Sequence, residues 1–173
     1  MVGGGGGYNV RGGESDVSGA PRVYADTSVF GGIVDEEFQE ASRRFFDRVK
    51  QGRLRLVISA AVGNEIKNAP DEVRALFAEL FGSAEVAVPS AAAIALQAAY
   101  LRHGVVTDRW GTDALHVALA TVAGCAMIVS WNFRHIVNYQ RIPLYNAINA
   151  MQGYHAIAIY SPLEVTEDEQ EEV

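Results

Sequence analysis

The chain has 173 residues, 49% of them apolar and 20% charged, with a formal net charge of −7. That length suits one domain with a sizeable core. No apolar run is long enough to span a bilayer, and no basic region precedes an apolar stretch at the N-terminus, so neither a membrane helix nor a signal peptide is expected. The lone Cys125 rules out an internal disulfide framework and fits a packed thiol in a reducing cytoplasm. Much of the negative charge sits in the run Glu167, Asp168, Glu169, Glu171 and Glu172, so the body is close to neutral and gives no global sign of a nucleic-acid binder.

Residues 1–20 hold a five-glycine run and read as a disordered leader. The glycines follow no strand and lack a Lys-Ser/Thr partner, which disfavours a phosphate loop. Residues 21–165 form the expected domain, and 166–173 read as an acidic, solvated tail. Val23–Ala25 is a short buried strand that ends at Asp26, where a helix cap begins. From Asp35, the spacing of Phe38, Phe45, Phe46 and Val49 predicts a helix that Gly52 ends. Leu54–Ser59 is the next strand, with Ser59 as N-cap of a short helix that Pro70 stops. Asp71 and Glu72 open another helix, as acids favour its positive end. Its stripe is Val73, Leu76, Phe77, Leu80 and Phe81. Glu85–Val88 is a strand, and Ser90 starts an alanine-rich helix that closes near Gly104. Thr112 is the expected cap of a helix with Leu115, Leu119 and Val122 inward, ending at Gly124. Ala126–Ser130 is an apolar strand, Ile142–Met151 a helix and Ala156–Tyr160 a last strand. Strands alternating with helices predict a three-layer α/β fold, with a central parallel sheet flanked by helices.

Four polar residues stand where strands end or helices start: Asp26, Glu65, Asp113 and Asn132. A parallel sheet brings such positions to its carboxyl edge. Three carboxylates meeting there repel one another unless a cation joins them. Oxygen donors suit Mg²⁺ or Mn²⁺, ions used to hydrolyse phosphodiesters. Each residue also has a plainer use. Asp26 caps a helix well, Glu65 suits a solvated helix face, and Asp113 suits a first turn. His116 shares the Asp113 side of its helix and reads as a hydrogen-bonded, partly buried ring supporting the site. Asp108 reads as a loop acid, and Trp131 as packing. Arg43, Arg44, Arg48, Lys50, Arg53 and Arg55 form either a solvated face or a phosphate contact. Arg134 and His135 directly follow Asn132 and are the preferred RNA contacts, with Thr27 and Ser28 beside Asp26 as further substrate-binding candidates.

The segments Val-Tyr-Ala-Asp26-Thr-Ser, Asn64-Glu65-Ile, Thr-Asp113-Ala-Leu-His-Val-Ala-Leu-Ala and Ser-Trp-Asn132-Phe together resemble the PIN domain, and most of all the VapC-type ribonuclease toxins of toxin–antitoxin pairs. The resemblance implies a Rossmann-like parallel sheet and RNA cleavage dependent on Mg²⁺ or Mn²⁺. It also implies a cognate antitoxin and a homodimer. Asp26, Glu65 and Asp113 match three acidic positions of that family's site. Asn132 stands where many members carry a fourth acid; an amide oxygen lacks the charge, so a second ion is expected to bind more weakly. Two other classes compete: a non-catalytic module that kept the fold, and a phosphoryl-transfer enzyme with Asp26 as nucleophile. Ser28, where that mechanism wants a second Asp, disfavours the last.

Overall fold

The computed structural model describes residues 19–167, so the glycine-rich run and all but the first residue of the acidic run lie outside the described residues. Five strands form one sheet: β1 (Arg22–Ala25), β2 (Arg55–Ser59), β3 (Glu85–Ala87), β4 (Met127–Val129) and β5 (Ala158–Tyr160). Their order is β3-β2-β1-β4-β5, and every pairing is parallel. The strands are short and nearly all apolar, as expected when both faces are covered. Val23, Tyr24, Val57, Ile58, Ile128 and Val129 are fully buried.

Among the described residues eight α-helices cover the sheet: α1 (Thr27–Gly32), α2 (Gln39–Lys50), α3 (Ala60–Ile66), α4 (Asp71–Phe81), α5 (Ala91–Arg102), α6 (Gly111–Val122), α7 (Ile142–Met151) and α8 (Pro162–Thr166). The chain leaves β1 toward β2 and β3, then returns to the other side of β1 for β4 and β5. Right-handed crossovers in opposite directions place the helices on opposite faces. One group is α1 to α4, knit by Phe30 against Phe46 (ring centroids 4.7 Å apart) and against Phe77 (5.4 Å). The other is α5, α6 and α7, where Tyr100 meets Tyr145 edge to face. The expected three-layer α/β architecture is present.

Local chemistry explains most boundaries. Asp26, Ser59 and Ser90 each accept a backbone N–H inside the helix they start. Gly52, Gly104 and Gly124 have φ near +70°, a region that glycine enters without a Cβ clash, and so end α2, α5 and α6. Several expectations need correction. Thr112 does not cap α6: a 3-10 turn over Asp108–Trp110 runs into a helix already begun at Gly111. Nor does α6 have one inward stripe. Ala114 and His116 through Thr121 are all buried, because α6 packs on both α5 and the sheet, while Leu115 and Val122 are only half-buried. Phe81 is 51% exposed rather than part of the α4 core face. Thr166 belongs to no solvated tail: it is buried, and its hydroxyl donates to Pro162 O at 2.7 Å, closing a helix that the sequence pattern did not suggest. No helix among the described residues is long and apolar enough to cross a membrane.

Candidate active site

Strand β1 is the point from which the chain winds both ways, and β1 and β4 are neighbours in register. Ligands of open α/β sheets bind at the carboxyl end of such a switch point. Asp26 lies there, directly after β1, with its backbone N–H donating to Val129 O at 3.3 Å. Its carboxylate is 4% exposed and held by hydroxyls. Ser28 Oγ donates to Oδ1 at 2.5 Å, Ser28 N donates to the same oxygen at 3.1 Å, and Ser130 Oγ donates to Oδ2 at 2.7 Å. The hydroxyls are themselves held, since Trp131 N donates to Ser28 Oγ at 2.8 Å and Asn132 N donates to Ser130 Oγ at 2.9 Å. Burial pushes the Asp26 pKa above its ordinary value, and the His116 field with the serine hydrogen bonds offsets only part of that. Asp26 is thus a fixed, buried acid whose charge lacks a directly bonded cation.

Glu65, in the second turn of α3, points at His116: Nε2 and Oε1 are 2.9 Å apart. Nδ1 of the same ring lies 2.7 Å from the Tyr24 hydroxyl, which lies 2.7 Å from Ser59 Oγ. Burial alone lowers the pKa of His116, but the hydrogen bond it donates to Glu65 and the fields of Asp26, Glu65 and Asp113 outweigh it and raise the value. Burial raises Glu65, and the His116 hydrogen bond and charge more than reverse that, so Glu65 stays ionised more readily than a free carboxyl. His116 therefore ties the constellation together. It bonds one of the three acids and feels the other two.

Asp113 has its own histidine. His135 Nδ1 stands 2.9 Å from Asp113 Oδ2, and the ring is 6% exposed. Trp110 stacks on that ring, with centroids 4.3 Å apart at 30°. Arg134, the neighbouring candidate, is exposed and lies over Trp110, its guanidinium carbon 5.9 Å from the ring centroid. Asn132 Oδ1 accepts from Arg134 N at 3.2 Å and from His135 N at 2.9 Å. Its amide oxygen thereby caps the turn that carries His135 to Asp113. Thr27 Oγ1 lies close enough to Glu65 to help keep it ionised, yet it is a buried oxygen with no partner in hydrogen-bond geometry. Asp108 is exposed, and Trp131 is buried with its indole N–H on Ser42 Oγ at 2.8 Å.

Two contributors escaped the sequence reading. Ser130 follows the last residue of an apolar strand, and that position was the available signal. Tyr24 carries none, because its hydroxyl sits inside a run that reads simply as buried strand.

The donor set fits a hard cation in kind: three carboxylates, no thiolate, a buried acid lacking a counter-ion and an orphaned hydroxyl beside it. As the side chains stand, Glu65 and Asp113 turn to their histidines. Among the described residues no group of three or more His, Cys, Asp or Glu is gathered tightly enough to hold a metal ion. To hold an ion, Glu65 would have to turn from His116 and Asp113 from His135.

No protein-family model and no curated protein matches the chain. Among solved structures, a chain in the crystal structure of VapBC2 from Rickettsia felis, bound to a DNA fragment from their promoter, superposes with a TM-score of 0.54. The match covers 81% of this chain and 98% of that one, at 11% sequence identity, and it establishes a shared fold.

Proposed function

We propose that this chain is a metal-dependent endoribonuclease that hydrolyses RNA phosphodiester bonds, and that it is the toxin of a toxin–antitoxin pair. The observation that carries the reading is the set of Asp26, Glu65 and Asp113 around one shared histidine at the sheet's switch point. The likeness to a VapBC2 chain supports the toxin assignment and an antitoxin partner. A homodimer, acting in the cytoplasm, is part of the same proposal.

Asp26, Glu65 and Asp113 would hold Mg²⁺ or Mn²⁺, and the chemistry such an ion supplies is polarisation of the phosphate and activation of water. The remaining work falls to the chain. Ser28 and Ser130 fix the Asp26 carboxylate in one orientation. His116 keeps Glu65 ionised, and Tyr24 and Ser59 hold His116 in place. His135 orients Asp113. Thr27 Oγ1, buried beside Glu65, helps keep that carboxylate ionised, and Arg134 offers a cation at the rim. Asn132 acts through the turn it caps.

The test is incubation with structured and unstructured RNA in Mn²⁺ or Mg²⁺. Cleavage that EDTA stops, and that a folded Asp26→Asn protein lacks, is the expected result; full cleavage by that variant would refute the role of Asp26. Asn132 and the paired state of Glu65 and Asp113 favour one alternative, a PIN-like binding module with a degenerate metal site. Calorimetry showing no Mn²⁺ binding beside intact RNA or protein binding would select it.

A further inference from the structure

The loop from Phe133 to Arg141 leaves large aromatic faces in water beside the acidic pocket. Phe133 is 47% exposed and Tyr139 is 80% exposed. These rings do not sit on a loose loop. Asn138 Nδ2 donates to Phe133 O at 3.1 Å, and Arg141 Nε donates to Arg134 O at 3.0 Å. Phe133 packs on Phe38 and Trp131, and Trp110, half-buried, meets the same loop through Arg134: the guanidinium carbons of Arg109 and Arg134 lie 5.0 Å and 5.9 Å from its ring centroid. Neither those two guanidiniums nor that of Arg141 pairs with a carboxylate among the described residues. Elsewhere Arg22, Arg43, Arg44 and Arg74 pair with carboxylates, whereas Arg53, Arg55 and Arg102 pair with none among the described residues, so what sets this group apart is the rings beside it. Trp110 itself adjoins the pocket, because it stacks on the histidine 2.9 Å from Asp113.

Cations free of carboxylates on a loop that also exposes aromatic rings match the two parts of an unpaired nucleotide. Phosphates attract the guanidiniums, and base faces stack on the rings. A perfect duplex hides its base faces, so it satisfies the cations and not the rings. We propose that Phe133, Tyr139 and the Arg109–Trp110–Arg134 cluster form a base-stacking subsite that receives single-stranded RNA flanking the scissile bond. This rests on the ribonuclease reading for the pocket beside it, and the subsite's own ligand chemistry is tested separately.

The experiment measures fluorescence anisotropy of a labelled single-stranded oligoribonucleotide, and of the same strand in a perfect duplex. It uses the Asp26→Asn protein in EDTA, so that binding is read without cleavage. Adding Phe133→Ala with Tyr139→Ala is expected to weaken single-strand binding about tenfold and leave the weaker duplex binding unchanged. Adding Arg134→Gln instead is expected to flatten the salt dependence by about one phosphate contact. Unchanged single-strand affinity, or an equal loss on the duplex, overturns the subsite. Unchanged RNA affinity in a double variant that has turned from a self-associating protein to a monomer, read by sedimentation, overturns it in favour of a protein interface. Cleavage is scored separately on the otherwise unmodified chain with Mn²⁺. If it cleaves RNA while the aromatic pair is irrelevant to affinity and KM, the subsite falls and the nuclease stands. If it never cleaves while the aromatic pair carries single-strand affinity, the nuclease falls and the subsite stands.

Discussion

The two edges of the sheet handle charge in opposite ways. At the amino edge, Arg22 at the start of β1 reaches across to Glu85 at the start of β3, its Nε donating at 3.0 Å, and the same guanidinium donates to Gly124 O at 3.2 Å. Cation and anion meet directly and are partly solvated. The nearby Cys125 thiol is pushed up to about 11 by burial, so it stays protonated and inert. At the carboxyl edge, Asp26 has only hydroxyls and a backbone N–H, Glu65 and Asp113 each have a histidine, and the arginines face a tryptophan instead of an acid. The same scaffold that neutralises one end leaves the other with an uncompensated acid and unpaired cations. Satisfied ion pairs hold a fold together, whereas poised ones are available to something that binds.

The sharpest way to break this contrast is Asp26→Asn. Under the nuclease proposal, the substitution lowers cleavage by about a hundredfold or more. The same change is expected to raise the melting temperature of the metal-free protein at neutral pH. The sign follows from the raised pKa: a carboxyl that binds its proton more tightly when folded contributes stability at low pH and loses it as pH rises through the folded value, so at neutral pH, where the unfolded carboxyl is ionised, burying it is a cost. A drop in melting temperature would show that the serine hydrogen bonds outweigh burial.

A steric test comes next. A Cβ on Gly32 would fall 2.2 Å from Ser42 Oγ and 2.7 Å from Trp131 Nε1, the two atoms of the hydrogen bond that seats Trp131. Gly32→Ala is expected to cost about 1–3 kcal/mol in denaturant unfolding. It should also disturb Ser28, which receives the Trp131 N–H. Tyr24→Phe removes the hydroxyl between Ser59 and His116 and is expected to cost about 1–2 kcal/mol, with a smaller loss of activity than Asp26→Asn.

The Glu65–His116 pair supplies the pH test. Glu65 is lowered, so its stabilisation is present above about pH 4.5 and lost as pH falls through the folded value. His116 is raised, so its stabilisation is present below about pH 6.5 and lost as pH rises through the folded value. In EDTA, the difference in melting temperature between the unmodified chain and Glu65→Gln is therefore expected to peak between about pH 4.5 and 6.5. A flat difference would mean that the pair is screened by solvent. The smallest effect belongs to the amino edge: Arg22→Gln breaks a partly exposed pair and is expected to cost about 0.2–1 kcal/mol with no change in cleavage.

What the sequence revealed divides along physical lines. Strand runs such as Ile128 and Val129, and stops such as Gly52 and Gly124, are local signals, and they placed the sheet and most helix ends. The expectation that Asp26, Glu65 and Asp113 meet came from the rule that parallel strands share a carboxyl edge; all three act on His116, though the described residues hold no tight group of three acids or histidines. Side-chain pairings across the fold were not legible. Nothing local to His135 says that it meets Asp113, and nothing in Thr112 says that a 3-10 turn will take its place as cap. The burial of α6 on nearly every side also came from tertiary packing, which overrides a helical stripe.

One measurement bears most directly on the acidic pocket. Isothermal titration of Mn²⁺ into the metal-free protein, beside Asp26→Asn and Glu65→Gln, reads the claim that three carboxylates around His116 are a cation site. The expected result is saturable binding that either substitution abolishes or weakens at least tenfold. Binding that neither substitution alters, or no binding while the fold stays intact, would contradict it.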